Sequence, residues 1–96
     1  MILSERSTDQ GLLVTACDPE VLGETFEDGD VSLEVTEEFY GGDEVAAETV
    51  IERLSQASIA NLVGREVVEL AIEEGLVDEE RVLDIGDTLH AQYLRF

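Results

Sequence analysis

Lysine and tryptophan are missing from this sequence, and cysteine, histidine, proline and methionine occur once each. The single Cys17 excludes an intrachain disulfide and fits a reducing compartment, so we expect a cytoplasmic protein. One Cys and one His are too few for a zinc site built from those ligands. No apolar run approaches the roughly 20 residues that cross a bilayer, and the start lacks a basic and then apolar signal pattern. We therefore expect no membrane association.

Positive charge is scarce. Five arginines face 24 acidic residues, which gives a net charge of −19. A folded chain of this size exposes roughly 5,400 Å², so its net charges lie roughly 17 Å apart. Such charges interact at 0.1 M salt, where the Debye length is ~10 Å, but not at 1 M, where it is ~3 Å. Because the acid is spread from end to end, we predict adaptation to high salt. The alternative is an acidic protein that mimics nucleic acid or binds a basic partner.

The length and the apolar content favour one folded domain over residues 1–96. Apolar residues make up 44% of the 96 positions, well above the content of disordered acidic tails. Apolar alternation and turn residues predict strands at 2–6, 12–17, 31–36, 82–85 and 89–96. Helical periodicity predicts helices at 43–57 and 62–74. The order predicts an α+β, two-layer fold in which two main helices pack on one face of a mainly antiparallel sheet.

Each predicted helix has a start, an inward face and an end. Asp43 is placed to cap the first helix, whose outer face would carry a Glu44, Glu48 and Glu52 stripe. Asn61 is placed to cap the second, which Gly75 would end. The residues that we expect to be buried are Leu33, Val35, Val50, Ile51, Leu54, Val67, Leu70 and Ala71.

Three segments carry candidate binding residues. Asn61, Gly64 and Arg65 would lie at a helix start, where free N–H groups and an arginine suit an anion. His90 and Gln92 would project from one face of the last strand. Tyr40 with Gly41 and Gly42 offers an aromatic ring in a flexible loop that suits base stacking. Each segment also has a structural reading, as a helix cap, an ordinary terminal strand and a plug at the edge of the core.

The sequence contains no recognisable catalytic motif. Cys17 and His90 lie far apart in sequence without a recognisable signature, and Asp28-Gly29-Asp30 is too short for a calcium loop. Neither standard glycine-rich phosphate loop is present. We therefore predict no catalytic residues, no metal and no cofactor, and an enzyme is the weakest of the function classes.

The sequence resembles the archaeal DUF424 family over nearly its whole length. The resemblance lies in Phe39-Tyr40-Gly41-Gly42, in the segment 57–64 that ends Asn-Leu-Val-Gly, and in His90-Ala91-Gln92. It implies a small archaeal protein with an α+β two-layer fold and contact with RNA. The acidic composition without lysine points to a haloarchaeal member.

Two function hypotheses from different classes remain open. The first is a module that contacts RNA or a ribonucleoprotein, and the second is a protein-interaction module without nucleic acid. A small hydrolase or transferase is a distant third. Convergence of Arg65, His90 and Arg95 on one surface would favour RNA, because phosphate contacts supply much of the affinity for nucleic acid. Scattered positions would favour a protein partner.

Overall fold

The computed structural model describes residues 1–95, in which short helices lie between single strands and strand pairs. The strands are β1 (Ile2–Thr8), β2 (Gly11–Cys17), β3 (Thr25–Asp28), β4 (Val31–Glu34), β5 (Asp43–Glu44), β6 (Ile59–Val63), β7 (Leu83–Ile85) and β8 (Thr88–Leu94). The helices are α1 (Glu37–Tyr40), α2 (Ala47–Gln56) and α3 (Arg65–Glu73), with 3-10 turns at Pro19–Val21 and Glu79–Arg81. Within residues 1–95, no helix combines the length and the apolarity needed to cross a membrane.

Six strands form one sheet in the order β5-β1-β2-β6-β8-β7, and β3 pairs with β4 in a separate hairpin. Every pairing in the large sheet is antiparallel except that of β2 with β6. The prediction of an α+β fold with a mainly antiparallel sheet is therefore confirmed. The parallel pair brings the carboxyl ends of β2 and β6 together, so that Cys17 and Val63 are neighbours at the same end of the sheet.

Helices α2 and α3 cover one face of the sheet, as predicted. Side chains alternate between the two faces of a strand, and those on this face join the helices in one buried cluster. Its members include Ala16 and Leu62 from the sheet, Leu54 from α2 and Val67 from α3. We call this the helix-covered face.

The opposite face is covered over only part of its area. The β3–β4 hairpin, α1 and the turn after β2 pack there around Cys17, Val63, Val35 and Tyr40. The Thr15 hydroxyl donates a hydrogen bond of 3.2 Å to the carbonyl of Phe39, which fixes α1 over β2. The strands beyond this second core leave a stretch of sheet uncovered.

The start of the second predicted helix was wrong. Ile59–Val63 is a strand, and α3 begins only at Arg65. Asn61 therefore lies inside the sheet and caps no helix. The strand lies between β2 and β8, and the sequence of a central strand is difficult to distinguish from that of a buried helical turn.

The first predicted helix also began too early. Asp43 and Glu44 form β5 against β1, and α2 starts at Ala47. Glu44 is therefore not part of a helical stripe, and only Glu48 and Glu52 remain on α2.

Among the predicted core residues, Val35, Val50, Leu54, Val67 and Ala71 are buried. Leu33, Ile51 and Leu70 are only half-buried.

The predicted end of α3 is confirmed. Gly75 has a φ of 73°, and its N–H donates to the carbonyl of Ile72. The N–H of Leu76 donates to the carbonyl of Ala71, which completes a Schellman motif.

The strand predicted at 89–96 is observed as Thr88–Leu94, and the part of that prediction on Phe96 lies outside the described residues.

Candidate interaction site

Asp18, the residue after β2, caps the start of α3 from 48 residues away. Its Oδ2 accepts from the Glu66 N–H at 2.9 Å, and its Oδ1 accepts from the Val67 N–H at 3.0 Å. The side chain fits because residue 64 is glycine, with a φ of 123° and a position at which a Cβ would lie 2.4 Å from Asp18 Cγ. The parallel pairing of β2 and β6 thus positions a carboxylate below the helix start.

Burial raises the pKa of the Asp18 carboxyl above its ordinary value, because only 1% of the residue is exposed and its charged form is desolvated. The two hydrogen bonds from backbone N–H groups act in the opposite direction and lower the pKa. The charges of Glu20 and Glu66 add smaller upward contributions. Asp18 is therefore a buried structural carboxylate that costs solvation and satisfies two backbone donors.

The predicted anion site at the start of this helix is largely filled by the protein itself. Two of the N–H groups that would bind an anion already donate to Asp18. Gly64 is buried, and its N–H donates to the carbonyl of Leu89 at 2.9 Å. Arg65 is exposed, but it lies beyond the sheet end and does not join Asn61 on the sheet.

Asn61, His90 and Gln92 do come together. Asn61 is the direct cross-strand neighbour of Gln92 on β8 and of Thr15 on β2. His90 lies two residues before Gln92 on β8, so both side chains project from the same face of the sheet. The His90 Nδ1 atom is 2.9 Å from the Leu62 carbonyl oxygen. The sequence-based prediction that His90 and Gln92 share a face agrees with this register.

These three residues belong to an uncovered area of the sheet on the side away from α2 and α3. Three other residues join them from the same alternation, since Leu13, Ile59 and Leu94 are neighbours across β2, β6 and β8. Leu94 is 62% exposed, and Leu83 on β7, the neighbour of His90, is 55% exposed. We define the open face by these residues: Leu13, Ile59, Asn61, Leu83, His90, Gln92 and Leu94.

The open face is free of carboxylates in a chain that has 24 of them among 96 residues. On its side of the sheet, β1, β2, β6, β7 and β8 contribute only apolar, hydroxyl and amide side chains, Cys17, His90 and Arg6 within residues 1–95. The edge strand β5 adds Glu44, the neighbour of Ile2, on the same side but outside the open face. Arg6 lies at the margin, where its guanidinium contacts the Phe39 ring at 5.5 Å and donates to the carbonyl of Glu38. Sequence reasoning missed this surface because it depends on the sheet register. The alternation of Thr88, His90 and Gln92 with less polar residues in β8 was a usable signal for part of it.

The Tyr40-Gly41-Gly42 segment has a packing role. Tyr40 is 4% exposed, its ring packs edge-on against Phe39 at 5.0 Å between centroids, and burial raises its pKa to about 12. A side chain at Gly42 would place its Cβ 2.0 Å from the Leu3 carbonyl oxygen, so the chain needs glycine for close approach to β1. A ring buried in this way does not present a stacking surface to a base.

The arginines are scattered. Arg65 follows β6 at one end of the sheet, whereas Arg95 lies at the other end, where its N–H donates to Ser58 at 2.7 Å. The length of β6, roughly 16 Å, separates these two ends. Arg53 is on the helix-covered face in a bidentate ion pair with Glu5. Arg65, His90 and Arg95 therefore do not form one basic surface.

The Cys17 thiol lies in the second core. It is free and buried, and burial raises its pKa to about 11. A thiol of this kind is protonated at neutral pH and a poor nucleophile. Within residues 1–95, no group of three or more His, Cys, Asp and Glu side chains is placed to hold a metal ion.

Comparison with known proteins identifies a family and a solved structure with a similar fold. The family model for DUF424, described as a protein of unknown function, matches residues 5–96. The chain belongs to the DUF424 family. The fold is similar to that of the crystal structure of an uncharacterized conserved protein from Methanopyrus kandleri, with a TM-score of 0.78 and 21% identity over 99% of this chain and 92% of that one. No curated protein matches the sequence.

Proposed function

We propose that this DUF424 protein is an interaction module that docks on a protein partner through its open face. The observation that supports the proposal most is that this uncovered part of the sheet is free of carboxylates, in a chain with a net charge of −19. A partner that docks on these seven residues contacts no carboxylate side chain of the main sheet. It also covers apolar side chains that the fold leaves in water.

The exposed leucines favour a protein over other partners. Leu94 and Leu83 are more than half exposed, and burying such a side chain fully contributes about 1.5–3 kcal/mol. Protein interfaces are depleted in charge at their centre and polar at the rim. The open face has this character, with Leu13, Ile59 and Leu94 beside the amides of Asn61 and Gln92. The scattered arginines agree with this interpretation.

RNA contact is the second candidate, and the grouping of Asn61, His90 and Gln92 favours it. Amide and imidazole groups read base edges by hydrogen bonds, and in molar salt such contacts contribute more because the counterion term fades. The same three side chains, however, also serve the polar part of a protein interface. Neither tyrosine is available to stack bases on this face, since Tyr40 is buried and Tyr93 belongs to the helix-covered face. The half-buried Phe39 ring lies only at the margin, against Arg6.

Charge insertion on the open face tests the proposal. The double variant Leu83→Glu with Leu94→Glu puts two carboxylates on this face at positions that already contact water. We expect a tagged copy in its native host to lose at least about tenfold in partner recovery, with an unfolding midpoint within a few degrees of the parent. The matched control is Thr49→Glu with Gln56→Glu, which adds the same charge at exposed positions on α2. Melting curves are recorded for both variants.

Nuclease treatment during the same capture separates the two candidates. A protein partner stays bound after RNA is digested, and its recovery falls in the open-face variant. Recovery that disappears with nuclease in the parent supports RNA contact instead. Equal recovery by the parent and by a folded open-face variant would contradict a contact at this face.

A further inference from the structure

We propose that the protein partner adds an extended segment to the free edge of β8, where its backbone pairs with that of Gln92 and Leu94. This inference rests on the proposed function, because it assigns the way in which the partner of the open face binds. An added strand gains affinity from backbone hydrogen bonds and specificity from its alternate side chains. The segment that fits this edge alternates apolar and basic residues.

The outer side of β8 is paired over only part of its length. β7 pairs with residues 88–90 and no further. An unbroken continuation of that register would place Arg81 opposite Gln92, but Glu79–Arg81 forms a 3-10 turn instead. Residues 91–94 therefore have a neighbouring strand, β6, on one side only.

Hydrogen bonds at both ends of β8 show which of its backbone groups point towards β6. The Gly64 N–H donates to the Leu89 carbonyl at 2.9 Å, and the Arg95 N–H donates to the Ser58 carbonyl at 2.7 Å. Leu89 and Arg95 therefore direct their backbone groups to the β6 side. In an antiparallel pair, this direction alternates from one residue to the next.

The alternation leaves Gln92 and Leu94 with backbone groups that point away from β6, to the free edge. Within residues 1–95, neither residue forms a hydrogen bond with the turn that follows the register of β7. The same residues carry their side chains on the open face. A strand added at this edge would satisfy their N–H and C=O groups and extend the open face at the same time.

The free edge of β8 also lacks the features that usually protect sheet edges. Proteins discourage strand addition with charged side chains and proline at the edge. The edge of β1 beyond β5 has this protection, since it carries Glu5 and Arg6. Residues 91–94 contain neither a charge nor a proline, and Gln92 and Leu94 are exposed.

Charge favours a basic segment of another protein over a second copy of this chain. The turn that takes the place of a longer β7 carries Asp78, Glu79 and Glu80, all exposed. Two copies would bring together net charges of −19 each. The added strand lies in line with β7, so its side chains on the open face continue the row that includes Leu83 and should be apolar. Its basic residues would complement the acidic turn.

Titration with a capped hexapeptide, Arg-Val-Thr-Val-Arg-Val, followed by NMR at 2 M KCl, tests this mode of binding. In the free protein, the Gln92 and Leu94 amide protons should exchange with solvent faster than those of Ala91 and Tyr93. Saturation with the peptide should slow the exchange of Gln92 and Leu94 by roughly tenfold or more.

N-methylated peptides give a matched pair that uses the parent protein. One peptide is methylated on the three valine nitrogens and the other on the three remaining nitrogens. Because an edge pairs with alternate residues of an added strand, one peptide should lose roughly tenfold or more in affinity and the other should stay within about threefold. Equal losses in both, or no saturable shift with the unmodified peptide, would overturn strand pairing.

Gln92→Pro removes an outward N–H without breaking the ladder with β6, and its control, Gln92→Thr, keeps that N–H. We expect the proline variant, with a melting midpoint within a few degrees of the control, to lose roughly tenfold in peptide affinity and in partner recovery from the host. The threonine variant should stay within about twofold of the parent in both.

The outcomes separate this inference from the proposed function. A partner retained by folded Gln92→Pro but lost by Leu83→Glu with Leu94→Glu would overturn strand pairing and leave docking on the open face intact. A partner retained by both variants would overturn the proposed function as well. A dimer of the parent in light scattering that Gln92→Pro dissociates would show that a second copy occupies the edge, which also contradicts the inference.

Discussion

Replacement of Asp18 by alanine is expected to lower the free energy of unfolding by about 2–4 kcal/mol. The change leaves the Glu66 and Val67 N–H groups without their acceptor, and the Val67 group is buried. For a domain of this size, the loss corresponds to a fall of roughly 10–25 °C in the melting temperature. Thermal melts in 2 M KCl measure it.

Two variants separate this cap from a general effect of charge. Glu20→Ala removes an exposed carboxylate two residues away and should change the melting temperature by no more than a few degrees. Asp18→Asn keeps one acceptor oxygen and should fall between the parent and the alanine variant. A loss of less than about 1 kcal/mol in Asp18→Ala would show that the cap contributes little.

The raised pKa of Asp18 also fixes the sign of a pH dependence. Because the folded state binds this proton more tightly than the unfolded state, the group contributes stability that is fully present below the unfolded pKa of about 3.9. That contribution is lost as the pH rises through the folded-state pKa. The parent should therefore gain stability relative to Asp18→Asn as the pH is lowered from 7 towards 4, since the other carboxylates are common to both proteins.

The second large expected effect is a rise in melting temperature with salt. The chain has 19 net negative charges on a surface of 5636 Å², and residues 1–95 form a single ion pair. Between 0.1 M and 3 M KCl we expect the melting temperature to rise by roughly 10 °C or more, which corresponds to about 2 kcal/mol. The Glu48, Glu52 and Glu69 to Gln triple variant should be more stable than the parent at 0.1 M and closer to it at 3 M. A melting temperature that is flat or falls with salt would contradict the adaptation.

Much of the fold follows from local sequence signals. The end of α3 at Gly75 and the four strands β1, β2, β7 and β8 depend on residues close in sequence, and all were predicted, with small differences in bounds. The start of α3 was not, because its cap comes from Asp18 across a parallel strand pair. Local patterns contain no information on which strands of a sheet become neighbours. For the same reason the strand Ile59–Val63 and the order of the strands in the sheet were not predicted.

In the candidate site, too, some features follow from local sequence and others only from strand pairing. Strand alternation was enough to place His90 and Gln92 on one face, but Asn61 joins them only through the pairing of β6 with β8. Tyr40 was offered as a stacking residue because a Tyr-Gly-Gly segment looks like a loop. Thr36 in fact starts the short helix α1 there, with its hydroxyl accepting from Phe39 N–H, and the ring is carried into the core. A threonine followed by two glutamates was a local signal that could have indicated this helix.

Site-specific photo-crosslinking tests the central claim, contact through the open face, most directly. A photoreactive residue at the exposed Gln92 position projects from the centre of that face, and the same residue at the exposed Glu69 position on α3 is its matched control. In host cells at native salt, we predict one dominant protein adduct from position 92 that survives nuclease and is absent from position 69. Adducts of equal yield from both positions, or none from position 92 while position 69 crosslinks, would contradict the account.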